Sequence, residues 1–175
     1  MNRTVKTAFA VVAAAFAFSA AEAQAQIGFS IAGGPSFALG DFGDNVDMGY
    51  HVKAAAHFSM PMLPVGLQAE GMWSRWNHES IDDAKATILN GSLNAVINLP
   101  TPGFSPYIIG GVGYYNLKEE TPLFEGDTND FGINVGAGVK LGLPGLAVFG
   151  EARYHNVFTE GSSTSFLPVS LGIRF

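Results

Sequence analysis

The sequence predicts an all-β chain: an eight-stranded antiparallel up-and-down β-barrel that crosses a membrane. Three observations lead there. Apolar residues recur with period two rather than 3.6 through segments of strand length. The connections between those segments alternate between two chemical kinds. Charge is sparse within the segments and concentrated in every second connection.

A leader comes first. Arg3 and Lys6 precede an apolar run from Ala8 to Ala21, and Ala21, Ala23 and Ala25 then fall at the small-residue spacing a signal peptidase reads. That run is shorter than the ~20 apolar residues a spanning helix needs. Residues 1–25 are therefore expected to be a cleaved secretory signal peptide, with cleavage after Ala23 or Ala25, and residues 26–175 a single barrel domain.

The first candidate strand covers Ile27 to Leu39. In the second, Tyr50, Val52, Ala54, Ala56, Phe58 and Met60 form an apolar face against His51, Lys53, Ala55, His57 and Ser59. The third sets Val65, Leu67, Ala69, Gly71 and Trp73 against Gln68, Glu70 and Ser74, and the fourth, Leu89 to Leu99, alternates with Asn90, Ser92, Asn94 and Asn98. Tyr107 to Leu117 is the fifth, with glycine and aromatics on both faces. The sixth alternates Phe131, Ile133, Val135, Ala137, Val139, Leu141 and Leu143 with glycines, Asn134 and Lys140. Leu146 to His155 is the seventh; Leu167, Val169, Leu171, Ile173 and Phe175 line one face of the last. Each is near the ~9 to 11 residues of a tilted strand crossing a bilayer.

Residues 61–64, 99–106 and 144–145 are short or proline-rich and uncharged, whereas segments near 40–47, 77–85, 118–130 and 157–164 are polar and acidic. Without Arg3, Lys6 and Glu22 the chain keeps 7 basic and 14 acidic residues, and 12 of those 14 fall in the four acidic segments. An up-and-down barrel places alternate connections at opposite ends, so one end is acidic and the other nearly neutral, as in outer membranes. With no basic cluster, nucleic acid is excluded as a partner. With no cysteine, a disulfide framework, a thiolate metal site and a lipid-modified N-terminal cysteine are excluded too.

A soluble carrier barrel would reverse the faces, and charge decides between the two. Only Lys53, Glu70, Arg75, Lys140, Glu151, Arg153 and Arg174 lie in the strands, while a water-facing surface carries roughly a quarter to a third charged residues. The polar face, mostly Gly, Ala, Ser and Asn, suits a narrow lumen. Aromatics towards strand ends (Phe29, Phe37, Tyr50, Phe58, Trp73, Trp76, Tyr107, Tyr114, Phe131, Tyr154 and Phe175) are expected in interfacial girdles.

Three stretches carry a family resemblance: the final strand ending Leu171-Gly-Ile173-Arg-Phe175, the segment Pro106-Tyr107-Ile-Ile-Gly110-Gly111-Val-Gly113-Tyr114, and Arg153-Tyr154-His155. With them the mature chain resembles eight-stranded outer-membrane barrels of the OmpA, OmpX and opacity-protein type. The resemblance implies a bacterial outer-membrane location, contact with outer-membrane lipids and lipopolysaccharide, a monomer, and recognition of Leu171, Ile173 and Phe175 by the barrel-assembly machinery.

Across the turns near 61–64 and at Pro144-Gly145, Lys53 meets Glu70 and Lys140 meets Glu151 as diagonal neighbours, roughly 7 to 8 Å apart at Cβ. Arg153 shares the inward face with Glu151. These five residues are expected to form a salt-bridged network that blocks the lumen, because an unpaired buried charge costs several kcal/mol.

No enzyme activity, cofactor or metal is expected. Arg153-Tyr154-His155 is superficially similar to the histidine region of lipid A deacylases, but the position of their serine, two residues after the histidine, is Val157 here. His51, His57 and His78 lack metal-ligand spacing, and Asp41, Asp44 and Asp47 are spaced by three, unlike the alternate ligands of an EF-hand loop. The expected function is a non-enzymatic surface barrel with outward acidic loops. The alternative is a narrow passive or lateral-exit channel for small or hydrophobic solutes, with Gly33-Gly34-Pro35 and Pro168 as a weak seam.

Overall fold

A computed structural model describes residues 26–59, 65–77, 84–99, 101–121, 124–159 and 162–175. Eight antiparallel strands pair in chain order and close into a barrel: β1 (Gln26–Leu39), β2 (Gly49–Ser59), β3 (Val65–Asn77), β4 (Lys85–Asn98), β5 (Ser105–Thr121), β6 (Phe124–Leu143), β7 (Leu146–Thr159) and β8 (Ser162–Arg174). The expected signal peptide, with Ala23 and Ala25, lies outside the described residues, as do His78, Glu79, Asp82, Asp83 and Glu160.

The two faces of the wall are sorted as in a membrane protein. Phe131, Leu171 and Leu93 are 71%, 69% and 68% exposed on the outside, while inward-facing His51, Ser74 and Asn134 are buried. A water-soluble fold hides its apolar chains; here the polar ones are hidden, which is stable where hydrocarbon bathes the exterior of a closed sheet. Outward aromatic pairs sit towards the end bearing the acidic segments: Tyr50 with Trp73 at 5.5 Å and Tyr114 with Phe131 at 5.1 Å between ring centres.

Two expectations change. The acidic segments near 118–130 and 157–164 are continuations of the wall rather than loops: β5 and β6 stay paired as far as Thr121 and Phe124, and β7 and β8 as far as Thr159 and Ser162. The alternation simply turns polar on both faces, with Asn116 Nδ2 donating to Asp127 Oδ1 (2.5 Å) and Asn129 Oδ1 (3.0 Å) across the exposed ladder. Trp76 and Tyr107, expected in the girdles, point inward and are buried. Trp76 stands three residues from outward Trp73, and an odd separation reverses the face.

Closure is irregular at one place. The β1–β8 ladder includes Gly33–Leu171 and resumes at Ser36–Pro168, while β7–β8 includes Ala152–Val169 and resumes at His155–Phe166. Pro168 has no N–H to donate. The backbones nonetheless stay close: a Cβ added at Gly34 would lie 2.1 Å from the Val169 carbonyl oxygen. At the other end of the seam Phe29 and Phe175 exchange backbone hydrogen bonds of 2.8 and 2.9 Å, anchoring the C-terminus.

Candidate functional site in the barrel lumen

The lumen is layered. At the acidic end a 3-10 turn over Gly40–Asn45 carries Phe42 over the mouth, edge-on to Trp76 (5.3 Å, 75°). Trp76 packs on Phe166 (5.4 Å, 74°) and donates from Nε1 to the Ser36 carbonyl oxygen at 2.9 Å. Val46, Met72, Ile88, Tyr115 and Val157 complete this apolar cap. Beneath it the His155 ring stacks on Phe166 (4.7 Å, 13°), with Nδ1 2.9 Å from the Tyr115 hydroxyl.

The middle layer is ionic. Arg153 forks onto both Glu70 oxygens, NH1 to Oε1 at 2.8 Å and NH2 to Oε2 at 3.1 Å, and also reaches Glu151 Oε1 from NH2 (2.5 Å) and Nε (3.1 Å). Lys53 Nζ lies 2.5 Å from Glu151 Oε1 and 3.5 Å from Glu70 Oε2. Gln68 Nε2 donates to Glu70 Oε2 at 2.8 Å, and the Tyr107 hydroxyl donates to Glu151 Oε2 at 2.9 Å. Two cations and two carboxylates thus neutralise each other, every carboxylate oxygen accepts at least one hydrogen bond, and all four side chains are almost fully buried.

This geometry departs from the expected pairing in one respect. Lys53 and Glu70 are diagonal neighbours, since Lys53 faces Met72 and Ala55 faces Glu70 across β2 and β3. Lys140 and Glu151 are likewise diagonal across β6 and β7, yet Glu151 turns to Lys53 and Arg153. Lys140 Nζ instead rests 3.4 Å from Asn98 Oδ1, nearer the neutral end. Both of Glu151's oxygens are taken by groups converging from β2, β5 and β7, leaving Lys140 outside the network. Tyr107 and Gln68, which local sequence spacing did not single out, belong to it.

The histidines take separate partners: His51 Nε2 with Ser170 Oγ (2.8 Å), His57 Nε2 with Ser30 Oγ (2.8 Å), and His155 with Tyr115. Among the described residues no cluster of three or more His, Asp or Glu side chains is placed to hold a metal ion. His155 and Val157 are both fully buried and face the lumen, away from lipid. Leu171 and Ile173 face outward, and Phe175 is 62% exposed at the neutral end.

The model of the outer membrane protein beta-barrel domain family matches residues 8–175. No curated protein matches the chain. Among solved structures, the chain is similar to Neisserial surface protein A (TM-score 0.70, 13% identity, 86% of this chain and 97% of that one). It is also similar to the N-terminal β-barrel domain of Pseudomonas aeruginosa OprF (TM-score 0.54, 16% identity, 87% and 100%) and to the outer membrane enzyme PagL (TM-score 0.57, 16% identity, 85% and 98%). At such identities these likenesses speak to the fold alone.

Proposed function

The chain belongs to the outer membrane protein beta-barrel domain family and lies in the bacterial outer membrane, and from that premise we propose that it is a non-enzymatic, non-conducting barrel that holds acidic segments outward for surface contact. The observation that carries this reading is the buried, self-neutralised quartet of Lys53, Glu70, Glu151 and Arg153 lying beneath an apolar cap. An ion passing through would have to displace charge-assisted hydrogen bonds of 2.5 to 3.1 Å and then the Trp76–Phe166 layer. Such contacts in a dry interior are individually strong and mutually reinforcing.

Absence of catalysis rests on His155. Its Nδ1 is held by Tyr115, its ring lies against Phe166, and Val157 offers no nucleophile. Lipid on the outer wall has no path to it.

Outward acidic segments suit contact with cations or basic surfaces, and at the membrane they suit divalent bridging to lipopolysaccharide. During biogenesis the exposed Phe175 and its strand offer the edge the assembly machinery would read. Swelling of proteoliposomes in an iso-osmotic small sugar tests the occluded lumen: reconstituted protein should swell no faster than empty vesicles, and sugar-size-dependent swelling contradicts the reading.

The interruption at Gly34, Pro35 and Pro168 favours, as a second reading, lateral exit of hydrophobic solutes. Close backbone approach at Gly34 argues for a shut wall. Uptake of a fluorescent hydrophobic tracer into proteoliposomes, above that of empty vesicles, would reinstate this route.

A further inference from the structure

The mature chain keeps 7 basic residues, and Lys53, Arg153, Lys140 and Arg174 face the lumen or its neutral mouth. The other three, Arg75, Lys85 and Lys118, point the opposite way. Arg75 stands between inward Ser74 and Trp76, Lys85 between inward Ala84 and Ala86, and Lys118 follows Leu117, which packs on the apolar cap. Alternation therefore turns all three outward. Arg75 and Lys85 are half-buried and Lys118 is exposed.

Far apart in the sequence, these cations are brought together by the ladder. Thr87 on β4 lies directly opposite both Arg75 on β3 and Lys118 on β5. Arg75 and Lys118 are thus about 10 Å apart, two strand spacings. Lys85 is two residues from Thr87 on the same face, a diagonal neighbour of both at roughly 7 to 8 Å.

Neighbouring side chains fix the level of this row. Tyr50 lies directly opposite Arg75 and packs edge-on against Trp73 at 5.5 Å. Tyr114, on the same face of β5 as Lys118, packs against Phe131 at 5.1 Å. The row therefore sits between an aromatic girdle and the acidic segments, at the depth of lipid headgroups, where a cation on the outer wall costs little.

Acidic residues do not balance the row. In register, Glu120 opposes Lys85 and Asp127 opposes Lys118, two acids to three cations. Asp127 Oδ1 accepts instead from Asn116 Nδ2 at 2.5 Å. Among the described residues none of the three cations makes an ion pair.

We infer that Arg75, Lys85 and Lys118 form a docking row for the phosphorylated glycolipid of the outer leaflet, holding the phosphate groups of lipopolysaccharide. Charge complementarity supplies the attraction, and the Arg75 guanidinium offers the planar fork that matches a phosphate. A row spread over three strands suits a headgroup with more than one phosphate. The contact is direct, unlike a bridge from the acidic segments through divalent ions. It rests on the outward orientation of the acidic end proposed above, which decides the leaflet the row meets.

The test titrates the full mature barrel, folded in uncharged maltoside detergent with EDTA, with bisphosphorylated lipid A and with lipid A stripped of phosphate. Tryptophan fluorescence reads binding, since Trp73 lies two positions from Arg75 on the same face. Each cation near an anionic lipid surface is worth about fivefold in affinity. Lys118→Gln should therefore weaken binding about fivefold, and the triple variant Arg75→Gln, Lys85→Gln, Lys118→Gln about a hundredfold. Lys140→Gln removes the same charge at the opposite end and should leave affinity unchanged. Heat-dependent gel mobility checks folding; should the triple variant fail to fold, Lys118→Gln against Lys118→Arg, which keeps the charge, decides.

Saturable, phosphate-dependent binding that falls in the row variants and not in Lys140→Gln supports the site. Equal affinity with and without the phosphates, equal affinity of wild type and row variants, or an equal loss in Lys140→Gln overturns it. Equal affinity for phosphatidylglycerol overturns the assignment to the glycolipid. Micelles have no sides, so a negative result strikes this row and leaves the outward orientation and the occluded lumen standing.

Discussion

Replacing Arg153 with methionine tests whether the middle of the lumen is dry. The side chain is 1% exposed and makes four hydrogen bonds to Glu70 and Glu151. Its loss leaves two carboxylates facing Lys53 alone, a net buried charge of −1 in place of neutrality. Removing one partner of a buried ion pair costs about 3–5 kcal/mol. Lys53 remains within 2.5 Å of Glu151 and 3.5 Å of Glu70, so the lower end, about 3 kcal/mol, is expected. Equilibrium urea unfolding in lipid vesicles, followed by tryptophan fluorescence, reads this as a lower midpoint at unchanged slope. Adding Glu70→Gln restores charge balance between Lys53 and Glu151 and should return at least half of the loss, a coupling that a double-mutant cycle isolates. A loss below about 1 kcal/mol for Arg153→Met, the range of solvent-exposed pairs, would refute the reasoning and show a hydrated lumen.

Three further outcomes follow from the geometry. Trp76→Ala empties the centre of the apolar cap and should cost about 3–5 kcal/mol in the same urea assay. Gly34→Ala places a Cβ 2.1 Å from the Val169 carbonyl oxygen and should destabilise barrel closure by about 1–3 kcal/mol or more, seen as lost heat-modifiable mobility on gels. Gly71→Ala, where an added Cβ meets nothing within 4 Å, is its control and should change stability by less than about 0.5 kcal/mol. Tyr107→Phe removes the single hydrogen bond onto Glu151 Oε2 and should cost about 1.5–3 kcal/mol, the value for a bond to a charged group, measured by urea midpoint.

Strand number, order and facing were legible because each depends on alternation within a strand and on the sequence of connections. Diagonal contact of Lys53 with Glu70 was legible for the same reason: it crosses one short turn. Contacts across the lumen were not. Lys53 and Glu151 are 98 residues apart, on β2 and β7, and meet only because the barrel's stagger brings those levels together. Adjacent spacing therefore assigned Lys140 to Glu151, whereas competition across the lumen gave Glu151 to Lys53 and Arg153. Tyr107 was masked by apolar and aromatic residues on both faces of its segment. Trp76 was readable in principle from its odd separation from Trp73, but amphipathic rings at strand ends fit either side of the wall. The length of the β5–β6 hairpin escaped because its alternation is polar on both faces once the strands leave hydrocarbon.

A barrel closed from within by paired charges and an aromatic cap does not conduct ions until both layers are removed. Single-channel recording in planar lipid bilayers tests it most directly, comparing wild type with a variant combining Arg153→Ala and Trp76→Ala. The wild type should be silent at neutral pH in molar salt, and the variant should show discrete current steps. Stable, reproducible steps from the wild-type barrel would contradict it.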